Sequence, residues 1–285
     1  MPDDKVPVPV IVPAWHRIVH YPDNHLNDFC IFRDRDGVWH AIGIMGTGTW
    51  ASEQSLFHAS SPSLDQPFER HAPLFTENPS GDLAPQKHAP FVIERDGTYF
   101  LYYRRPPGTI MLVQTENPWQ WHGLGDELFT ERDARDVCIL EHEGRFLMYY
   151  CQSAEVDGEL RVCVMVRTST DLIAWSDGRI AHYDAPAKHS FLESPFVIKR
   201  PEGFYLIECH RMIGRRISVV VLSEDPFHFP TGRDNWLTVL APAHAPEIID
   251  DGEQLHIAAV SGPVDPGYPP PKDGGWVDIA PLVWK

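Results

Sequence analysis

Three carboxylic acids, Asp28, Asp136 and Glu193, each stand at the head of a short apolar segment: Asn27-Asp28-Phe29-Cys30, Arg135-Asp136-Val137-Cys138 and Glu193-Ser194-Pro195-Phe196. One ionised and one protonated carboxyl, held on either side of a reacting bond, make a general acid/base pair. Two further segments of the same kind, Lys87-His88-Ala89-Pro90 and Ala243-His244-Ala245-Pro246, carry histidine where the third carries Glu193. One acid at such a place is ordinarily a turn or capping residue. Three acids and two histidines in one recurring context form a candidate site. Asn27, Arg104, Arg135, Gln152, His210 and Arg211 join them as candidate ligand contacts.

The recurring context is a hairpin. Five apolar runs of strand length begin near residues 27, 88, 135, 193 and 244, roughly 50 residues apart. A charged, glycine-containing turn follows each: Arg35-Asp36-Gly37, Arg95-Asp96-Gly97, His142-Glu143-Gly144, Pro201-Glu202-Gly203 and Asp250-Asp251-Gly252. A second strand rich in aromatic and β-branched residues comes next, as in Thr98-Tyr99-Phe100-Leu101-Tyr102-Tyr103. A third strand then runs into a polar turn and an aromatic residue, as in Val164 to Trp175, and a short fourth strand closes the unit. Four antiparallel strands repeated five times predict an all-β fold, a five-bladed β-propeller spanning residues 1–285 as one domain. An irregular β-sandwich is the competing architecture, and hairpins this regular argue against it. Val8–Val12 is expected to close the ring and the proline-rich stretch from Gly262 to Lys285 to complete the last blade. In such a ring the starts of first strands and the ends of second strands converge on one cavity. That places Asp28, His88, Asp136, Glu193 and His244 beside Arg104, Gln152, His210 and Arg211.

Bulk composition narrows the ligand. The formal charge of −16 leaves no basic stripe to displace counterions, so nucleic acid is excluded as a partner. No run reaches the ~18–20 apolar residues of a membrane span, and the N-terminus lacks a signal-peptide pattern, so a cytoplasmic location is expected. Five scattered cysteines without a CxxC pair predict neither a disulfide framework nor structural zinc, and no metal site. Cys30 and Cys138 read as small buried hydrophobes. Trp119, Trp175 and Trp236 read as inter-blade packing, and Trp15, Trp50 and Phe191 as a stacking platform for the apolar face of a ligand.

The acids, in this order and on these blades, resemble those of the five-bladed propeller glycoside hydrolases, family 43 and the related family 32. The resemblance implies a glycosidase: Asp28 as base or nucleophile, Asp136 as the residue that orients substrate and tunes the acid, and Glu193 as general acid. Glycosidic cleavage passes through an oxocarbenium-like transition state flanked by two carboxyls. Asp136 beside Glu193 would keep the glutamic acid protonated by like-charge repulsion. The implied substrate is a carbohydrate, a terminal furanoside or pentoside as in arabinofuranosidases and xylosidases, cleaved with inversion. No cofactor is required, and a structural calcium ion at the propeller axis is what the resembling family adds. Phe29 stands where family 43 usually has proline, and Ser194 where family 32 has cysteine, so this chain diverges from both. A retaining fructosidase-like hydrolase, a propeller phosphorylase using Arg104 and Arg211, and a non-catalytic carbohydrate-binding propeller are the alternatives. The oligomeric state is left open.

Overall fold

The computed structural model describes residues 6–48, 50–75, 86–183, 191–212, 215–240, 244–261 and 274–285. Among the described residues twenty-one strands, β1 to β21 in chain order, form five sheets around one axis. Blade one is β3 (His25–Arg33), β4 (Trp39–Gly46), β5 (Ser55–Ser61) and β6 (Glu69–Arg70). Blade two is β7 (His88–Arg95), β8 (Thr98–Arg105), β9 (Thr109–Thr115) and β10 (Asp126–Thr130). Blade three is β11 (Arg135–His142), β12 (Arg145–Val156), β13 (Glu159–Ser169) and β14 (Arg179–Tyr183). Blade four is β15 (Phe191–Arg200), β16 (Gly203–Met212), β17 (Arg215–Ser223) and β18 (Trp236–Leu240). Blade five joins the two ends of the chain. Its inner strands are β19 (His244–Asp250), β20 (Leu255–Val260) and β21 (Gly275–Trp284), and both β1 (Pro9–Ile11) and β2 (His16–Tyr21) pair with β21. The expected ring closure by the N-terminal segment is therefore present, with β2 as a second, unforeseen contributor. Among the described residues the only helical segments are single turns at Trp50–Ser52 and Arg233–Asn235, and none is long and apolar enough to cross a membrane.

The turns explain the hairpins. Gly37, Gly97, Gly144 and Gly252 have φ between 73 and 93°, a region open to glycine at no steric cost. The core lies between blades, since each sheet buries residues on both faces. Five apolar clusters fill the five interfaces. One joins Phe29 and Trp39 of blade one to Ile249 and Val277 of blade five, and another joins Leu147 and Val166 to Leu206 and Val221. Tyrosines stitch neighbours together through their hydroxyls: Tyr102 donates to Leu172 O, Tyr149 to Pro226 O and Tyr205 to Pro7 O. Trp175 and Trp236 pack into these clusters as expected, and Cys30 and Cys138 are buried. Trp119 contacts blade one from blade two but stays 42% exposed.

Beneath Trp119, away from the acids, blade one holds a buried polar chain. Asp34 Oδ2 accepts from His40 Nε2 at 3.1 Å, and His40 Nδ1 lies 2.9 Å from His58 Nε2. Burial, with His40 and His71 nearby, holds His58 down at about 3. Burial also lowers His40, against the opposing pull of Asp34. The unfolded histidines titrate near 6.5. Between that value and about 3 the unfolded chain binds protons that the folded one refuses. The His58 contribution is thus fully present above pH ~6.5 and falls as pH drops, by up to ~1.4 kcal/mol per pH unit, with His40 acting in the same direction. Thermal melts from pH 7 to pH 4 should show this loss, and His58→Gln should flatten the slope. An unchanged slope in the variant would remove His58 from the account.

Candidate active site

Every inner strand slips by one residue against its partner near its start. The register breaks between Leu26 and Phe29, His88 and Phe91, Arg135 and Cys138, Glu193 and Phe196, and His244 and Glu247. These are five β-bulges at one level of the ring, and bulges re-aim side chains. The residue after each break in blades two to five, Ala89, Asp136, Ser194 and Ala245, has φ of 46 to 61°. None is glycine, so each costs on the order of 1–3 kcal/mol, tolerated only where flanking structure enforces it.

The bulges correct the repeat alignment. Glu193 does share its position with His88 and His244, and Arg135 fills the same place in blade three. Asp136 is one residue further on, level with Ser194, and Asp28 is one further still, level with Pro195. The three acids therefore occupy three successive positions of the bulge, not one.

The bulge links them physically. Ser194 N–H donates to Asp136 Oδ2 at 3.0 Å, and Ser194 Oγ donates to Asp28 Oδ1 at 3.3 Å. Arg135 Nε lies 3.4 Å from Asp136 Oδ2, and its other nitrogens donate to Leu192 O and Asp133 O. Burial pushes Asp136 above the usual carboxylate range; Arg135 opposes this and Glu193 adds to it. Glu193 Oε1 is 3.5 Å from His244 Nε2.

All three acids line one cavity of about 360 Å³, with Asn27, His88, Arg104 and Arg135. The rest of its described wall is Ile44, Glu53, Asp133, Ser153 and Val162. Glu53 follows the short turn at Trp50–Ser52 and was invisible to the repeat. It receives His25 Nε2 at 2.7 Å and has His88 Nε2 at 2.9 Å. Gly48 N–H donates to His25 Nδ1 and Arg104 to His88 Nδ1, which leaves each Nε2 as the protonated nitrogen facing Glu53. Burial works against the Glu53 charge, but the two histidines outweigh it and hold the carboxyl below its ordinary value.

Other expected contacts are displaced. Gln152 and His210 do not line the cavity; their neighbours Cys151 and Cys209 pair with Arg135 and Glu193. A one-residue offset in a strand turns a side chain to the opposite face. His210 instead faces Glu208 at 2.8 Å, deep between blades three and four. Ser153, two residues past Cys151, takes the place expected for Gln152. Trp15 packs into the core between blades four and five and so forms no platform, and the side chains of Arg211, Trp50 and Phe191 lie outside the described residues.

Below the cavity, the axial tunnel is lined by Asp28, Asp136, Ser194 and Glu247 among alanine, proline, valine and phenylalanine. Burial, with the charge of Asp28 added, pushes Glu247 well above the usual carboxylate range. Carboxylate and hydroxyl oxygens suit a hard cation such as calcium, and a cation there would favour the ionised form of Glu247. The donors are of the kind such an ion takes, but among the described residues Asp28, Asp136 and Glu247 are not drawn together as a ligand cluster.

The same architecture occurs in solved structures. One described as a glycoside hydrolase has a TM-score of 0.74 at 12% identity, covering 95% of this chain and 92% of that one. The chain has the fold of the propeller glycoside hydrolases. A family 43 enzyme from Xanthomonas citri complexed with xylotriose superposes with a TM-score of 0.65 at 16% identity, covering 95% and 90%. A family 32 β-fructofuranosidase from Bombyx mori gives 0.72 at 14% identity, covering 94% of this chain and 62% of that one. No protein-family model matches the sequence, and no curated protein matches it significantly.

Proposed function

We propose that this propeller is a glycoside hydrolase that releases a terminal furanose or pentose with inversion. The supporting observation is the pair of Ser194 hydrogen bonds, which tie Asp28 and Asp136 to the strand carrying Glu193 at the wall of one cavity. A cavity of about 360 Å³ suits one or two sugar units, and its wall is chiefly polar, as a polyhydroxylated ligand requires.

In this reading Asp136 is the ionised member of the Asp136–Glu193 pair, held so by Ser194 N–H and Arg135 against the burial that pushes its carboxyl up. Glu193 holds the proton. It protonates the glycosidic oxygen as the bond from that oxygen to the anomeric carbon breaks. Asp28 takes a proton from water, whose oxygen bonds to the opposite face of the anomeric carbon. An inverting pair stands ~6.5–9.5 Å apart to admit that water. Asp136 also accepts a sugar hydroxyl, and Arg104, steadied by His88, donates to another. An axial calcium ion held by Glu247 and Asp28 would supply charge neutralisation beneath the site.

Phosphorolysis is the lesser reading, because both arginines of the described cavity wall are committed, the side chain of Arg211 lying outside the described residues. Arg135 serves Asp136 and two carbonyls, and Arg104 serves His88 and Pro107 O. The test is a panel of α-L-arabinofuranosides, β-D-xylosides and β-D-fructofuranosides, with the product anomer followed by NMR. Release of the inverted anomer from one class, at a rate indifferent to added phosphate, is expected. Binding of the panel without release would overturn hydrolysis, and retention of configuration would make Asp28 a nucleophile.

A further inference from the structure

Glu193 has a second set of neighbours. On the antiparallel pair β15–β16 its Cα partner is Cys209, so the two side chains stand side by side. His244 reaches in from β19 of the next blade, with Nε2 3.5 Å from Glu193 Oε1. A carboxylate oxygen, the Cys209 sulfur and an imidazole nitrogen all lie within 4.8 Å of one another. Cys209 and His244 are buried, while the Glu193 side chain, 22% exposed, opens to the cavity.

The geometry points to a binding site for a borderline divalent cation of the zinc class, formed by Glu193, Cys209 and His244 at the blade four–five seam. Three observations carry it. The donor set mixes sulfur, nitrogen and oxygen, which suits zinc or cadmium and not calcium or magnesium. Bonds of 2.0–2.3 Å to a tetrahedral ion put ligand atoms roughly 3–4 Å apart, and the His244–Glu193 separation already has that value. Three protein ligands leave the fourth position to water on the cavity side. Asp28 and Asp136 in the same wall make that cavity attractive to cations. The linear sequence hides this site because its ligands come from three strands of two blades.

The consequence is inhibition, and that half rests on the reading of Glu193 as general acid. A metal ion bound to the Glu193 carboxylate displaces the proton that the glycosidic oxygen needs. Zinc should then act as a reversible inhibitor, relieved by chelation.

Cadmium serves as the probe, because a thiolate–cadmium bond gives an ultraviolet charge-transfer band whatever the activity. Reduced, metal-free full-length protein titrated with cadmium should develop the band at one equivalent, and zinc should compete it away. Cys209→Ser should abolish the band. His244→Gln, which keeps the cysteine, should weaken binding at least ~10-fold. No band in the parent protein, or an undiminished band in Cys209→Ser, overturns the site. In the activity arm, each variant is compared with its own zinc-free rate. Inhibition that follows band saturation supports both halves. A saturated band with unchanged glycoside turnover leaves the site standing and overturns the assignment of Glu193 as acid.

Discussion

Glu193→Gln is expected to lower kcat/KM on alkyl glycosides by 10²–10⁴-fold, the range for loss of a positioned general acid. At 1.36 kcal/mol per decade this is about 3–5 kcal/mol of transition-state stabilisation. The amide keeps the shape of the side chain but cannot release a proton. The loss should depend on the leaving group. An alkoxide needs protonation as it departs, whereas a nitrophenolate carries its own charge, so nitrophenyl glycosides should lose far less. Parallel rate measurements on the two substrate types decide the matter. Equal losses would make Glu193 a binding residue, and no loss would remove it from the chemistry. Folding should be little affected, since the amide keeps the side chain's shape and the Glu193 side chain opens to the cavity.

Glu208→Leu is expected to produce the largest loss of stability. Glu208 is fully buried in blade four, with Oε1 2.8 Å from His210 Nε2 and 3.2 Å from His182 Nε2 of blade three. Burial opposes its charge, but His182 and His210 prevail and hold the carboxyl down at about 2. Removing it leaves two buried imidazoles without their shared acceptor, which costs about 3–5 kcal/mol. For a chain of this size the melting temperature should fall by roughly 10 °C. The pH dependence identifies the cause. A carboxyl whose folded value lies below its unfolded ~4.3 stabilises fully above that pH and loses the contribution as pH falls toward 2. Urea midpoints of parent and variant should therefore differ most at neutral pH and converge in acid. A gap that persists at pH 2 would show that lost packing, not charge, is responsible.

Glu193 and His210, the partner of Glu208, also mark where the chain is readable from its letters alone. Glu193 was legible because its segment repeats: Glu193-Ser194-Pro195 matches His88-Ala89-Pro90 and His244-Ala245-Pro246 in kind and in place. His210 was legible as a strand-end residue but not in its direction. The single-residue bulge at the start of each inner strand sets which strand-end side chains face the cavity, and nothing in the local letters reports it. Hence Arg104, paired with His88, lines the site, while Gln152 and His210 do not.

The letters alone, in their order, suffice for the hairpin: alternation, aromatic and β-branched enrichment and glycine turns are local, and five copies count the blades. They also name the acids, because a carboxyl at a strand start is a matter of position in the repeat. Tertiary structure decided the neighbours. Glu53 meets His25 and His88 across two blades, Glu247 meets Asp28 across the ring closure, and Cys209 and His244 meet Glu193 at a seam. Those contacts depend on a one-residue slip in each inner strand and on the circle that β1 and β2 close. Both are properties of strands packed against one another, and no single strand encodes them.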